Sequence, residues 1–445
     1  MEAGLIPTFG SFAWTIAAFI IALSIIVAIH EYGHYIVGKW SGIKADVFSI
    51  GFGPVLASRL GKDGTRWQIA ALPFGGYVKF QGDAGAASDR PDQAVLDALS
   101  EEELRHTMHG APLWARAATV IAGPAFNFVL SFILFAALLF ARGVATDPIT
   151  VADVRQVPIE AEALLPGDVL LEIAGKTVPV TEEFVSFGAD LEPSPTLNYT
   201  VLRDGAETSV NGPWLYPPLA VSVTPGSAAE EGGVLKDDVV TAIDGVAVFD
   251  FDQLRDAIGA SDGNPVNLTI WRGGETLDVT LEPRRQDLPL PDGGFETRYL
   301  IGIGGGLVFE PQSEAPGVGE ALAYGVNQTI FIVKSSVSGL YHMIAGKIST
   351  CNLSGPIGIA ETSGHAASQG WVSFLWFIAV LSTAVGFLNL FPIPVLDGGH
   401  LVFHAFEWAT GRPPSDKVLG IMMAGGLTIM LALMVFAVGN DLFCP

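Results

Sequence analysis

His30-Glu31-Tyr32-Gly33-His34 closes an apolar run that begins near Phe12 and ends near Val37. The run is long enough to cross a bilayer. Inside it lies an H-E-x-x-H pattern. On a helix His30 and His34 are one turn apart and face the same way, as two imidazoles must to grip one zinc ion. Glu31 then stands beside the metal, where a general base for an activated water belongs. A chance match is improbable because only 8 of the 445 residues are His. The plainer alternative is a buried polar cluster with a structural role, but ionisable residues in a membrane span are costly and usually mark function.

Working outward, three further segments read as spans: about 113–140, 372–391 and 418–438. Half the residues are hydrophobic and the mean hydropathy is +0.44, high for a soluble protein. The expected fold class is a multi-span α-helical membrane protein with four transmembrane helices. The net charge of −23 makes nucleic acid an improbable partner. No Lys or Arg precedes Lys39, whereas Lys39, Lys44, Arg59, Lys62 and Arg66 follow the first span. Arg116 opens the second span, Arg412 and Lys417 lie between the third and fourth, and nothing basic follows. The positive-inside rule therefore puts both termini outside and both short loops in the cytoplasm. The acidic insert between spans two and three is then extracytoplasmic, and in a bacterium the membrane is the inner one. The N-terminus lacks the basic region of a cleaved signal peptide. Cys351 and Cys444 make no disulfide framework; they could pair if both faced an oxidising compartment, but the expectation is that they stay unpaired.

The stretch 41–83 carries Gly51-Phe52-Gly53-Pro54 and Leu72-Pro73-Phe74-Gly75-Gly76-Tyr77 around a turn at Lys62-Asp63-Gly64. Its apolar, glycine-rich character predicts a β-hairpin that dips back toward the membrane, which requires protein or a wet cavity to satisfy its backbone. Residues 84–112 read as a cytoplasmic linker, with Glu101-Glu102-Glu103 opening a helix, and His106 and His109 facing solvent.

The insert contains a repeat. Residues 165–175 match 235–245, and Tyr199-Thr200-Val201-Leu202-Arg203 matches Leu268-Thr269-Ile270-Trp271-Arg272. Such a unit is a small α/β module present twice, at 146–214 and 217–284. Its x-G-D-x-I/V pattern resembles PDZ domains, and Pro225-Gly226-Ser227-Ala228-Ala229 strengthens the likeness in the second copy. PDZ folds accept an extended peptide or chain terminus along a sheet edge. A linker with an amphipathic surface helix over 318–347 fills 285–370, ahead of the third span at 371–400, a cytoplasmic loop at 401–417 and the fourth span at 418–439.

A catalytic zinc needs a third protein ligand and an open position. The best candidate is Asp397 in Asn389-Leu390-Phe391-Pro392-Ile393-Pro394-Val395-Leu396-Asp397-Gly398-Gly399-His400. Spans one and three run the same way, so His30 and Asp397 reach similar depth near the cytoplasmic side. Pro392 and Pro394 would break the helix and let Asp397 turn inward. His400, His404 and Glu407 form a rival cluster on a following helix.

These motifs together with AGPAFNF at 122–128 and LSGPIGIA at 353–360 resemble the site-2 protease family of zinc intramembrane proteases, most nearly its bacterial regulator-of-sigma-E subgroup. The resemblance implies a zinc metalloendopeptidase that cuts single-span membrane proteins within or near the bilayer. Its targets would be anti-sigma factors in a stress response, or remnant signal peptides, after a first protease has trimmed them. It implies His30, His34 and Asp397 as ligands and Glu31 as the catalytic base. It also implies a membrane-reentrant hairpin (Gly75, Gly76, Tyr77) pairing with the substrate strand, Asn389 contacting substrate backbone, and a PDZ pair acting as a size filter. Two other classes compete: a PDZ-bearing membrane adaptor with a non-catalytic metal site, and a metal transporter, which would need more polar residues along its spans.

Overall fold

The computed structural model describes residues 5–85, 92–158, 164–224, 226–290 and 294–444. Pro225 of the second repeat lies outside them. The chain divides into two compact units, one made of Met1–Leu138, Gly319–Leu340 and Leu353–Cys444, the other of Leu139–Val318 and Tyr341–Asn352.

Among the described residues four helices are long and apolar enough to cross a membrane: Phe12–Trp40, Leu113–Arg142, Trp371–Asn389 and Lys417–Phe443. The fourth leaves Leu427, Leu431, Val435 and Phe436 exposed. In water that surface would be unfavourable at roughly 25 cal/mol per Å²; a lipid surround suits it. The helix Val318–Ile344 is not one of the four. It buries a stripe of small residues, Ala321, Gly325 and Thr329, and exposes Tyr324, Val326 and Phe331.

The first span runs on into a small sheet. In Ala45–Leu60 and Arg66–Phe80, Ala45 to Ile50 faces Phe80 to Gly76, and Val55 to Leu60 faces Ala70 to Arg66. Val47 to Ile50 also faces Arg66 to Ile69, so two bent strands make more than the simple hairpin expected. Phe48, Val78 and Phe80 pack with Tyr35 of the first span and with Ala115 and Val120 of the second. The turn is tied down as well: Asp63 accepts from Tyr35 Oη and, at 2.8 Å, from Lys39 Nζ. Downstream, Glu101–Leu104 forms one helical turn closed by a Ser100/Glu103 capping box.

In the second unit the sequence repeat folds twice. Val169–Ile173, Thr196–Arg203 and Ala206–Pro213 correspond to Val239–Ile243, Val266–Arg272 and Glu275–Leu281, each set in a four-stranded sheet of the same order. Each copy has its own core, around Tyr199 and Val201 in the first and around Leu268 and Ile270 in the second. The chain then returns past both copies. Ile303–Gly304 pairs with Ser222–Val223, and Phe309–Pro311 pairs with Val151–Val154.

The aspartate that both copies of the repeat share has a physical reason. Asp168, almost fully buried, accepts from Leu165 N and from Arg203 Nε and Nη2 at 2.7–2.8 Å. Asp238 does the same with Leu235 N and Arg272. Removing one partner of such a pair leaves a buried charge uncompensated, at about 3 kcal/mol. We therefore expect Arg203→Ala, which leaves the buried Asp168 carboxylate without its partner, to speed amide exchange about a hundredfold across Val169–Ile173 and Thr196–Arg203, leaving Val239–Ile243 protected. Equal acceleration in both copies would contradict independent modules. The Arg203 guanidinium holds the Asp168 carboxyl below its usual value of 3.8. The stabilisation it provides is thus complete above that value and is lost as pH falls through the lower, folded one.

Both cysteines are disulfide-bonded, which corrects the expectation that they stay unpaired.

Candidate active site

Helical periodicity puts His30 and His34 on one face of the first span, their ring centroids 4.8 Å apart and their planes nearly perpendicular. The two Nε2 atoms are 3.2 Å apart. The third group arrives from far along the chain. The helix Trp371–Asn389 ends, Pro392 and Pro394 break the path, and a new helix begins at Asp397. The two glycines after Asp397 are needed for this tight reversal. A Cβ on Gly398 would lie 2.3 Å from the carbonyl oxygens of Leu390 and Phe391, and one on Gly399 2.3 Å from that of Ile393. So positioned, Asp397 brings Oδ2 to 3.2 Å from His30 Nε2 and Oδ1 to 3.5 Å from His34 Nε2.

Three donors at these separations fit one tetrahedral zinc. Metal–ligand bonds of about 2.0–2.1 Å place neighbouring ligands about 3.3 Å apart. Asp397 Oδ2 is buried without a hydrogen-bond partner, as a ligand oxygen would be before its ion is counted. Among the described residues this is the one group of three or more His, Cys, Asp or Glu side chains that converges in this way.

Glu31 follows His30 on the helix, and its carboxylate accepts a hydrogen bond from the backbone N–H of Val78. The sheet therefore anchors it directly. Gly76 lies so close that a Cβ there would be 3.1 Å from Glu31 Cγ. A cavity of about 700 Å³ opens on His30, Glu31, His34 and Asp397, and Gly76, Tyr77 and Asn389 line it too. Gly75 is not among its lining residues; it turns the chain beside Phe52.

The rival cluster is present but engaged elsewhere. His400, His404 and Glu407 line the same cavity, yet both Glu407 oxygens are taken by Arg116 at 2.6 and 3.0 Å. Burial pushes the His404 imidazole down to about 4, with the Arg116 charge adding to the effect. His106 and His109 do not simply face solvent, as expected from their polar surroundings. Both are half-buried, with His106 Nδ1 2.6 Å from the Gly42 carbonyl and His109 Nε2 3.1 Å from Asp83. They stitch the loop after the first span to the segment before the second.

The second span supplies groups that the motifs did not disclose. His34 Nδ1 donates to the Thr119 carbonyl at 2.8 Å, which leaves its Nε2 lone pair free to bind a metal. Gly123 lets the two helices approach, because a Cβ there would meet His34 Nε2 at 2.3 Å. A helical glycine facing a histidine pair could be suspected from sequence, but only if the packing partner were known.

Comparison with known proteins places the geometry in context. The profile of peptidase family M50 matches residues 18–433. Relatives from Agrobacterium fabrum (35% identical; 96% of this chain, 95% of the relative) and Rhizobium meliloti (36%; 96% of each) carry names that assign them provisionally to the zinc metalloproteases. The regulator of sigma-E protease RseP of Salmonella typhimurium is 31% identical over 97% of this chain and 99% of its own length. An H-E-x-x-H helix, a distant aspartate converging on it and a family match over nearly the whole chain agree: the protein belongs to peptidase family M50, the site-2 protease family of zinc metalloproteases.

Proposed function

We propose that this zinc metalloprotease hydrolyses peptide bonds within or near the membrane-spanning segment of single-span proteins, with His30, His34 and Asp397 holding the metal and Glu31 as the catalytic base. The observation that carries the proposal is the convergence of those three donors beside Glu31, at the end of a helix apolar enough to lie in lipid. Zinc, when bound, supplies Lewis acidity, which acidifies a water and polarises a carbonyl. Glu31 takes the proton of the attacking water and passes it to the leaving amine. The Val78 N–H holds that carboxylate toward the cavity throughout.

A helical substrate hides its carbonyls and must unwind to be cut. The strand edge at Gly75, Gly76 and Tyr77 offers backbone groups to the unwound segment, and the Asn389 amide offers more. On this reading the sheet is the membrane-reentrant element. The two repeated modules act as PDZ-like domains that exclude bulky extracytoplasmic portions or take a peptide end. Charge asymmetry puts both termini and these modules outside an inner membrane, with the active site toward the cytoplasm. That Cys444, just past the fourth span, is disulfide-bonded supports that orientation. Anti-sigma-like proteins and remnant signal peptides are the substrate classes that fit.

The test compares membrane fragments in cells carrying active protein or a catalytically dead variant. Single-span remnants lacking their extracytoplasmic part should accumulate at least several-fold with the dead variant. A fragment inventory identical in the two strains would favour a non-catalytic adaptor.

A further inference from the structure

The two candidate zinc-binding imidazoles are oriented by different kinds of group. His34 Nδ1 faces the Thr119 backbone carbonyl, which can only accept, so its proton sits on Nδ1. His30 Nδ1 instead faces the side-chain amide of Asn127 at 3.2 Å, with Nδ2 toward the ring. In that orientation Nδ1 must accept, and the ring proton sits on Nε2. An imidazole protonated there has no lone pair to offer between His34 and Asp397. Asn127 is fully buried, and its Oδ1 has no hydrogen-bond partner.

A half-turn about the Cβ–Cγ bond exchanges the two nearly isosteric ends of an amide. The backbone at Asn127 is firmly held, since its carbonyl accepts from Ser131 Oγ and Ser382 Oγ, both at 2.9 Å. The side-chain torsion is therefore the free variable. We infer that Asn127 is a positioning residue whose side-chain carbonyl accepts the Nδ1–H of His30 when zinc is held, selecting the tautomer that can bind the metal. This rests on the zinc assignment proposed above. It adds that tautomer choice at His30 is made by a rotatable amide on the second span, whereas at His34 it is made by fixed backbone.

The two roles of the amide separate in Asn127→Asp, which keeps an acceptor and loses the donor, and in the near-isosteric Asn127→Leu, which loses both. The measurement is zinc affinity of the purified full chain, by competition with a chromophoric chelator, beside thermal unfolding of the same samples. Asn127→Leu should bind zinc about 10–100-fold more weakly. Asn127→Asp should stay within about threefold of wild type, or bind more tightly. Leu at wild-type affinity, or Asp more than about tenfold weaker, overturns the inference. If Asn127→Leu does not fold, the Asp arm decides alone by the same tenfold limit. Wild-type protein that holds no zinc overturns the metal assignment and this inference together, whereas normal wild-type binding with an unaffected Leu variant overturns this inference only.

Discussion

Glu31→Gln should retain a full complement of zinc and lose cleavage by about 10³–10⁴-fold, the scale of a general base removed from a positioned water. The substitution is nearly isosteric. Its amide oxygen can still accept from the Val78 N–H, so the sheet keeps its anchor to the helix. The three metal donors are untouched, because Glu31 is not among the converging group. Zinc content by mass spectrometry and substrate cleavage by immunoblot would be read on the same preparation. Cleavage within tenfold of wild type would remove Glu31 as the base. Loss of zinc would mean that Glu31 helps hold the ion.

Gly123→Ala should damage the site directly. Glycine in a helix interior normally gains about 1 kcal/mol on replacement by alanine. Here the added Cβ would lie 2.3 Å from His34 Nε2, 2.5 Å from His34 Cε1 and 2.9 Å from His30 Cε1. Relief requires a shift of about 1 Å in the imidazoles or in the helix behind them, and a displacement of that size at a reacting centre can reduce rate about a hundredfold. Weakened zinc binding and at least that loss of cleavage are expected in a protein that remains folded. Gly425→Ala in the fourth span, where a Cβ meets nothing within 4 Å, is the matched control and should be silent. A folded Gly123→Ala protein with wild-type zinc affinity and cleavage would show that the spans are looser than their packing implies.

Much of this site could be read from local pattern. The period of a helix puts His30 and His34 on one face whatever the fold around them, and proline chemistry foretells the break before Asp397. The repeat at 165–175 and 235–245 was visible because each copy must build the same buried Asp–Arg pair. The burial of His106 and His109 was not visible, since polar neighbours in sequence say little about which carbonyl or carboxylate a folded loop brings near. The return of Ile303–Gly304 and Phe309–Pro311 into the two modules is another long-range pairing that no window of adjacent residues encodes.

The chain's order of residues alone determined the spans, the histidine pair with its glutamate, the distant aspartate and the duplicated modules, because each depends on periodicity or composition over a few turns. Only the tertiary structure decided that Val78 holds Glu31, that Gly123 gives the imidazoles room, and that Thr119 and Asn127 stand behind them. Those are contacts between segments some fifty to a hundred residues apart, and their energies depend on distances of a few ångströms that exist only once helices and sheet have packed.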